Sequence, residues 1–415
     1  MRSSLFATLL VLSPAIADAG ETKVRCDVVE GALLAKETGG WRALSKGDAA
    51  PLGVPVVALP GAQLSGADGA VTVKLMADIG QRGPLPALEA GVVLHASKGL
   101  DLDVTLEEGI IVFDNGRKDG DAKVRVRVRG EQWDVTLRPE SRVGFELYSR
   151  YAPGVLKEFG GKLEEPCAQV IGLVTRGSAF LKTEGEGYGL KAPPGYAIFQ
   201  WDSLERKLAV NRLEKLPEFV RPMTEKEQAA FEECVAAAGK LNGADKKKAL
   251  AGLIASDSHV ARLTGVTAAG ALGEAGIVLA GLEDAKHRDV RQPASLVLRH
   301  YVGRGSKQME QVFHLLTGAE KATPAKASLF LELLLGFTAE QKLEPVTYEI
   351  LIRLLDHPRL GARELAHWHL VRLAPLETPI PYDAAAPEAE RKAAVQRWRE
   401  MIPAGELPPH LREKK

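Results

Sequence analysis

The chain lacks an excess of charge of either sign. Lys+Arg and Asp+Glu each total 54 of 415 residues, for a formal net charge of +0. A balanced surface sets up no long-range field to draw in a phosphate backbone or anionic lipid, so nucleic acid is not an expected partner. Cysteine is scarce: Cys26, Cys167 and Cys234 stand far apart, without the close paired spacing of a zinc site. Aromatic residues make up only 6% of the chain. Long apolar runs are missing too, since the stretch from Ala325 to Phe337 carries Lys326 and Glu332 and a bilayer span needs ~18 apolar residues or more. No transmembrane segment is expected in the mature chain. No G-x-S-x-G elbow, Gly-Lys-Ser/Thr phosphate loop or dinucleotide glycine fingerprint occurs, so the sequence names no catalytic, cofactor-binding or metal-binding residue. What it has in excess is glycine, 41 residues or about one in ten against a usual ~7%, which predicts many turns. At ~150 residues per domain the length suggests two to three domains.

The amino end is organised for export. Met1-Arg2 is a short basic start, Leu5 to Leu12 is apolar apart from Thr8, and Ala17-Asp18-Ala19 precedes Gly20 as a small-x-small cleavage site. Residues 1–19 therefore read as a signal peptide, and the location as periplasmic or extracellular. Val24-Arg25 before Cys26 is not a lipobox, so a soluble export product is expected. In an oxidising compartment Cys26 and Cys167, both at the starts of apparent strands, are candidates for a disulfide. Cys234 lies on a helix stripe and reads as a small buried hydrophobe.

Two halves with different periods follow. In residues 20–215 apolar positions recur every second residue between turn signals, the pattern of an all-β domain of sandwich or roll type. Val124, Val126 and Val128 alternate with Arg125, Arg127 and Arg129, predicting a strand with one face in the core and one basic face in water. Ile110 to Phe113 runs into Asp114-Asn115-Gly116, whose Asn-Gly pair suits a hairpin or short loop. In residues 216–375 the period becomes helical. Thr224-Glu225-Lys226-Glu227 is a capping box, Phe231, Cys234, Val235 and Ala238 share a helix face, and Thr323-Pro324 opens another helix. Residues 376–415 form a C-terminal extension with one amphipathic helix.

Repeats and motif order add two resemblances. Arg291-Gln292-Pro293-Ala294 matches Arg363-Glu364-Leu365-Ala366 at 72 positions, or two units of 36, and Arg262 begins a poorer third copy. Asp284 and Asp356 precede these arginines at equivalent points. This resembles the HEAT-repeat family, stacked helix pairs with a Leu-rich helix, an Asp turn and then Val-Arg-x-x-Ala. In the β half, Val28-Val29-Glu30-Gly31, Gly40-Trp41-Arg42-Ala43-Leu44, Lys46-Gly47-Asp48, Leu59-Pro60-Gly61-Ala62 and the Asp68-Gly69 turn follow one another in the order of the FecR-type extracytoplasmic β domain, which they resemble from about Cys26 to Arg129. The resemblance implies an exported sensing or interaction module, although neither a cytoplasmic segment nor a membrane helix precedes the domain.

Several side chains are candidate contacts. Arg125, Arg127 and Arg129 form a basic stripe that suits an acidic partner or an envelope polyanion, or is simply solvated. Tyr188, Tyr196, Phe199 and Trp201 are the densest aromatic stretch, either a sugar-stacking platform through Tyr188 and Trp201 or core filling. His357, His367 and His369 lack the i, i+4 spacing of helix-borne metal ligands. The glycines at 185, 187 and 189 read as a strand connection, and Lys246-Lys247-Lys248 as the polar start of a helix. The expected function is a non-enzymatic interaction or sensing protein that binds a protein or cell-envelope component without a cofactor, with a polysaccharide-binding module or an envelope hydrolase as the alternative.

Overall fold

The computed structural model describes residues 24–77, 88–154, 165–216, 222–318 and 322–412. The signal-peptide reading of residues 1–19 lies outside them. Among the described residues a β-rich half precedes a helical half, as the change of period predicts.

The β half is one hydrogen-bonded sheet that folds over its own core. β1 (Arg25–Glu37), β2 (Gly40–Ala43), β3 (Pro55–Ser65), β4 (Val71–Met76) and β5 (Ala90–Leu94) lead to the long β6 (Leu102–Asn115). β7 (Ala122–Val128), β8 (Glu131–Leu137), β9 (Arg142–Arg150), the long β10 (Cys167–Lys182), β11 (Gly187–Ala192), β12 (Tyr196–Asp202) and β13 (Lys207–Leu213) follow. Alternation decides the facing: Val124, Val126 and Val128 are fully buried, as are Val71, Val73 and Leu75. The long strands change partners midway. Residues 102–108 of β6 pair with β5 and β7, while 109–114 pair with β9 and 110–115 with β4. The break falls at Gly109, whose φ of 84° is a conformation that favours glycine. Gly177, with φ 69°, plays the same part in β10, where pairing passes from β9 and β12 to β8 and β11.

Of the hairpin or short loop expected after Phe113, the structure has the loop, between the end of β6 at Asn115 and the start of β7 at Ala122. β6 doubles back so far that Arg117 reaches Asp101 (2.5 Å), and β7 then runs parallel to the start of β6, with Leu102 opposite Val124. Asn115 is fully buried and organises the loop instead of making a tight turn. Its Nδ2 donates to the carbonyls of Gly120, Leu137 and Arg138, each at 3.1 Å.

The helical half begins with α1 (Glu225–Gly239), whose capping box forms as expected: Glu227 N donates to Thr224 Oγ1 and Thr224 N to Glu227 Oε2 (2.7 Å). α2 (Lys246–Ile254), α3 (His259–Ala271), α4 (Ala275–Leu282), α5 (Arg288–Val302), α6 (Ser306–Gly318), α7 (Pro324–Leu335), α8 (Pro345–Leu354), α9 (Leu360–Leu373), α10 (Glu388–Met401) and the single-turn α11 (Pro409–Arg412) follow. The C-terminal segment packs into the same core, with Trp398 buried and Tyr382 donating to Leu355 O (2.6 Å).

The halves are not independent beads. The helical core cluster takes in Ala32, Leu34, Val57, Leu59, Leu88 and Tyr151 from the β half, while the remaining β residues keep a core of their own. Trp41 Nε1 donates to Leu272 O (3.0 Å), and Asn242 Nδ2 to Gly31 O (3.0 Å).

Candidate functional site

Among the described residues, a compact group of chemically capable side chains lies where β5, β6 and α5 meet. β5 and β6 slip by one residue between Gly91 and Val92, leaving Glu107 as the extra residue of a bulge and turning Glu108 toward the helices. Glu89, just before β5, comes alongside. There is no room for a side chain at the bend, because a Cβ on Gly109 would lie 1.9 Å from Glu89 O. From the other half, His300 on the last turn of α5 and Arg304 just beyond it point to the same spot, four residues apart.

The contacts form a closed quartet. Arg304 Nε lies 2.7 Å from Glu108 Oε2, its Nη2 bonds Glu89 Oε1, and its Nη1 donates to Gly270 O (3.0 Å). His300 Nε2 is 2.9 Å from Glu108 Oε2 and 3.5 Å from Glu89 Oε1, and its ring stacks on Tyr148 with centroids 6.0 Å apart. Glu89, Glu108 and His300 are 1%, 7% and 3% exposed. Burial pushes His300 toward neutrality, but the charges of Glu89 and Glu108 outweigh it and raise its pKa to about 9, so it is a cation at neutral pH. Burial likewise pushes Glu108 up, and Arg304 and His300 overcome this to hold it down at about 2. Glu89 goes the other way: burial and then the Glu108 charge raise it against the pull of Arg304 and His300, so it is first of the pair to accept a proton.

Glu89, Glu108 and His300 bring ligand-type atoms within 4.8 Å of one another, a donor set chemically suited to a divalent cation. Arg304 decides between readings. Its guanidinium bridges both carboxylates, and with His300 it sets two basic groups against two acidic ones. A metal ion there would have to expel a half-buried guanidinium that contacts both carboxylates. The quartet is therefore read as an ionic clamp between the halves. Nothing in the sequence brings positions 89 and 108 to 300 and 304. The available signals were Glu107-Glu108-Gly109 interrupting an otherwise apolar strand, and the one-turn spacing of His300 and Arg304.

The candidates read from the sequence fall elsewhere. The basic stripe is paired, not free: Arg125 bonds Asp134 (2.7 Å) across to β8, and Arg127 grips Asp103 through two bonds of 2.8 Å. Arg129, at φ 48°, donates to Ser149 Oγ (2.9 Å). Trp201 is core, 4% exposed and edge-to-face with Trp133 at 5.7 Å, so its ring offers no face to a sugar. Tyr188 is half-buried and its hydroxyl bonds Glu186.

Cys26 and Cys167 are not bridged, and all three thiols are free. Ladder geometry explains this. The row from Cys26 runs through Leu64, Val73, Phe113 and Val143 to Val174, placing Cys167 five strands away and seven residues further along β10. At ~4.8 Å per strand and ~3.3 Å per residue, this is far beyond the reach of a disulfide. Among the histidines, His357 Nδ1 accepts from Arg359 N (3.1 Å), His367 packs at a tilt of 39° against Tyr382, and His369 Nε2 meets Leu333 O (2.6 Å). Burial lowers both His367 and His369 to about 4, leaving them neutral.

The arginines of the helical repeat share one structural role. Arg262, Arg291 and Arg363 are each the fourth residue of their helix, in α3, α5 and α9. Each reaches back to carbonyls in the turn before it: Arg262 to Ser256 and Asp257, Arg291 to Asp284, Arg363 to His357 and Pro358. Arg391, fourth in α10, does the same to Ala386 and also pairs with Asp356 (3.1 Å). Arg291 adds Glu364 (2.9 Å) and Asp383 (2.5 Å). The spacing is not a uniform 36, since Arg262 and Arg291 are 29 apart and α7 carries Ala327 at its fourth position.

Two described clefts open to solvent beside the junction. One of about 510 Å³ is lined by Trp41, Arg42, Asn242 and Lys246, and one of about 360 Å³ by Asp27, Leu44, Lys46 and Asn242. Neither is lined by the quartet. Comparison of the chain with protein-family models, curated proteins and solved structures finds no match.

Proposed function

We propose that this chain is an exported, non-catalytic interaction or sensing protein of the cell envelope, in which a FecR-like β half of sandwich or roll type is clamped to a HEAT-like helical half. Its partner is a protein or an envelope component. The observation that carries this reading is the repeated arginine at the fourth position of α3, α5, α9 and α10, which locks each helical turn to the next. Stacked helix pairs fixed in this way present an extended surface and need no cavity for reaction. The clamp supports the same reading, because its acids, histidine and arginine are set charge against charge between the halves and line neither of the two clefts beside the junction. Crosslinking of the full-length protein in its native envelope, read by mass spectrometry, tests the proposal. The expected result is an exported chain beginning at Gly20 with reproducible crosslinks from the helical half to one partner. A chain retained in the cytosol with Met1 intact contradicts it.

A further inference from the structure

One end of the sheet is an open edge. β13 comes last along the path of hydrogen-bonded strands, and among the described residues it pairs with β12 alone, from Tyr196 opposite Leu213 to Asp202 opposite Lys207 without a break in register. Lys207, Ala209, Val210, Asn211 and Arg212 are all exposed. The core face of the sheet runs out at this strand: Phe199 is fully buried while its partner Val210 is 38% exposed, and Trp201 is buried while its partner Leu208 is only half-buried. Two charged side chains near the edge are held on the body of the sheet, since Arg212 Nη1 donates to Pro194 O (2.8 Å), just before β12, and Arg206 pairs with Glu131 (3.3 Å) on β8. Sheet edges are ordinarily blunted by shortness, a proline, a bulge or a central charge. β13 has none of these: it is seven residues long, its pairing is regular, and its centre, Leu208-Ala209-Val210-Asn211, is uncharged. At the other end of the path β2 has four residues, and its Trp41 is fastened to Leu272 of the helical half.

A row of backbone N–H and C=O groups beside an open apolar face is a template for another strand. We propose that β13 pairs with β13 of a second copy of this chain, antiparallel and centred on Val210, so that the two sheets continue into one another. The strand's own sequence selects this occupant and this register. Keeping both core faces on one side of the joined sheet requires that some residue meet its own copy. A pairing centred on Ala209 sets Arg206 against Arg212, and one centred on Asn211 sets Lys207 against Lys215. Centred on Val210, no two cations oppose: Lys207 faces Leu213, Leu208 faces Arg212 and Ala209 faces Asn211, while Glu214 and Lys215 beyond the strand end lie toward Arg206 and Glu205 of the second copy. Val210 then meets Val210 between the two buried Phe199 rings, and Leu208 gains the aliphatic stem of Arg212 as cover. One surface serves both copies, as a two-fold contact requires. The inference goes beyond the envelope reading and does not depend on it.

The test is sedimentation velocity of the full-length protein over a range of concentrations, with disulfide trapping to read the register. A reversible dimer is expected, its dissociation constant raised at least about tenfold in Val210→Lys, because that substitution sets two like charges directly opposite each other. Val210 is exposed, so the variant should fold, and circular dichroism checks it. Trapping uses a Cys167→Ser background, in which the two remaining thiols, Cys26 and Cys234, are buried. Mild oxidation should link Val210→Cys into a covalent dimer, since directly opposed residues lie within disulfide reach. Lys207→Cys should stay unlinked, because this register holds the two substituted positions ~20 Å apart. A monomer at every concentration, a dimer unaffected by Val210→Lys, or equal linking of the Lys207→Cys and Val210→Cys variants overturns the proposal. Crosslinks from β13 to a different protein, with this chain monomeric, give the edge to that protein and overturn self-pairing as well.

Discussion

Removing Arg304 tests the clamp most sharply. In Arg304→Met the two carboxylates, 1% and 7% exposed, keep only His300 as a counter-charge. Breaking a buried pair by deleting one partner costs about 3–5 kcal/mol. Part of this is recovered by protonation, because Glu89 is already raised by burial and by Glu108, and each pKa unit is worth ~1.4 kcal/mol. The expected loss is therefore about 3 kcal/mol near neutral pH. Its sign with pH follows from proton uptake: losing the Arg304 charge raises Glu89 further, so the variant's native state takes up a proton more readily than the wild type's and the deficit shrinks as pH falls from 7 toward about 5. Urea denaturation followed by circular dichroism at both pH values measures it. The double variant Glu89→Gln with Arg304→Met should regain at least half of the loss, since one uncompensated charge goes with its partner. A deficit under about 1 kcal/mol, or one independent of pH, would refute the reasoning.

His300 gives an alkaline signature. Its folded pKa of about 9 exceeds the ordinary 6.5, so its contribution, up to about 3 kcal/mol at ~1.4 per unit, is complete below 6.5 and lost as pH rises through about 9. His300→Gln should flatten that limb of the stability curve, and an unchanged limb would count against the assignment. Gly109→Ala must force a Cβ against Glu89 O at a positive φ, so a loss of about 2 kcal/mol or more is expected in thermal unfolding. Alkylation of the denatured, unreduced protein should modify Cys26, Cys167 and Cys234 alike, whereas protection of one pair would contradict the free thiols described here.

Much of the β half was legible because alternation is local. The strands at Val124–Val128, Gln132–Leu137 and Val143–Tyr148 can be read directly from period two. Their partners cannot. Asn115-Gly116 leaves a hairpin and a short loop both open, because the sequence does not show that β6 folds back at Gly109, which brings β7 parallel to its first arm. The basic face of β7 was seen, but its neutralisation by Asp103 and Asp134 depends on that pairing. The repeated arginines show through their Arg-x-x-Ala surroundings at Arg291 and Arg363, while Arg391-Lys392-Ala393-Ala394 carries the same pattern on a polar helix outside the 36-residue spacing. The clamp was invisible for a simple reason. Its four members come from two halves nearly two hundred residues apart, and a buried charge has a sequence signature only when its partner is close along the chain.

The central claim is that the two halves form one body held at the Glu89, Glu108, His300 and Arg304 contact, with Trp41 and Asn242 beside it. A protease site placed between Leu216 and Pro217 allows the chain to be cut there and the product passed over a sizing column. The account predicts that the nicked fragments elute together at the size of the intact protein, and that they separate when Arg304→Met is present. Fragments of the nicked wild type that separate would contradict it.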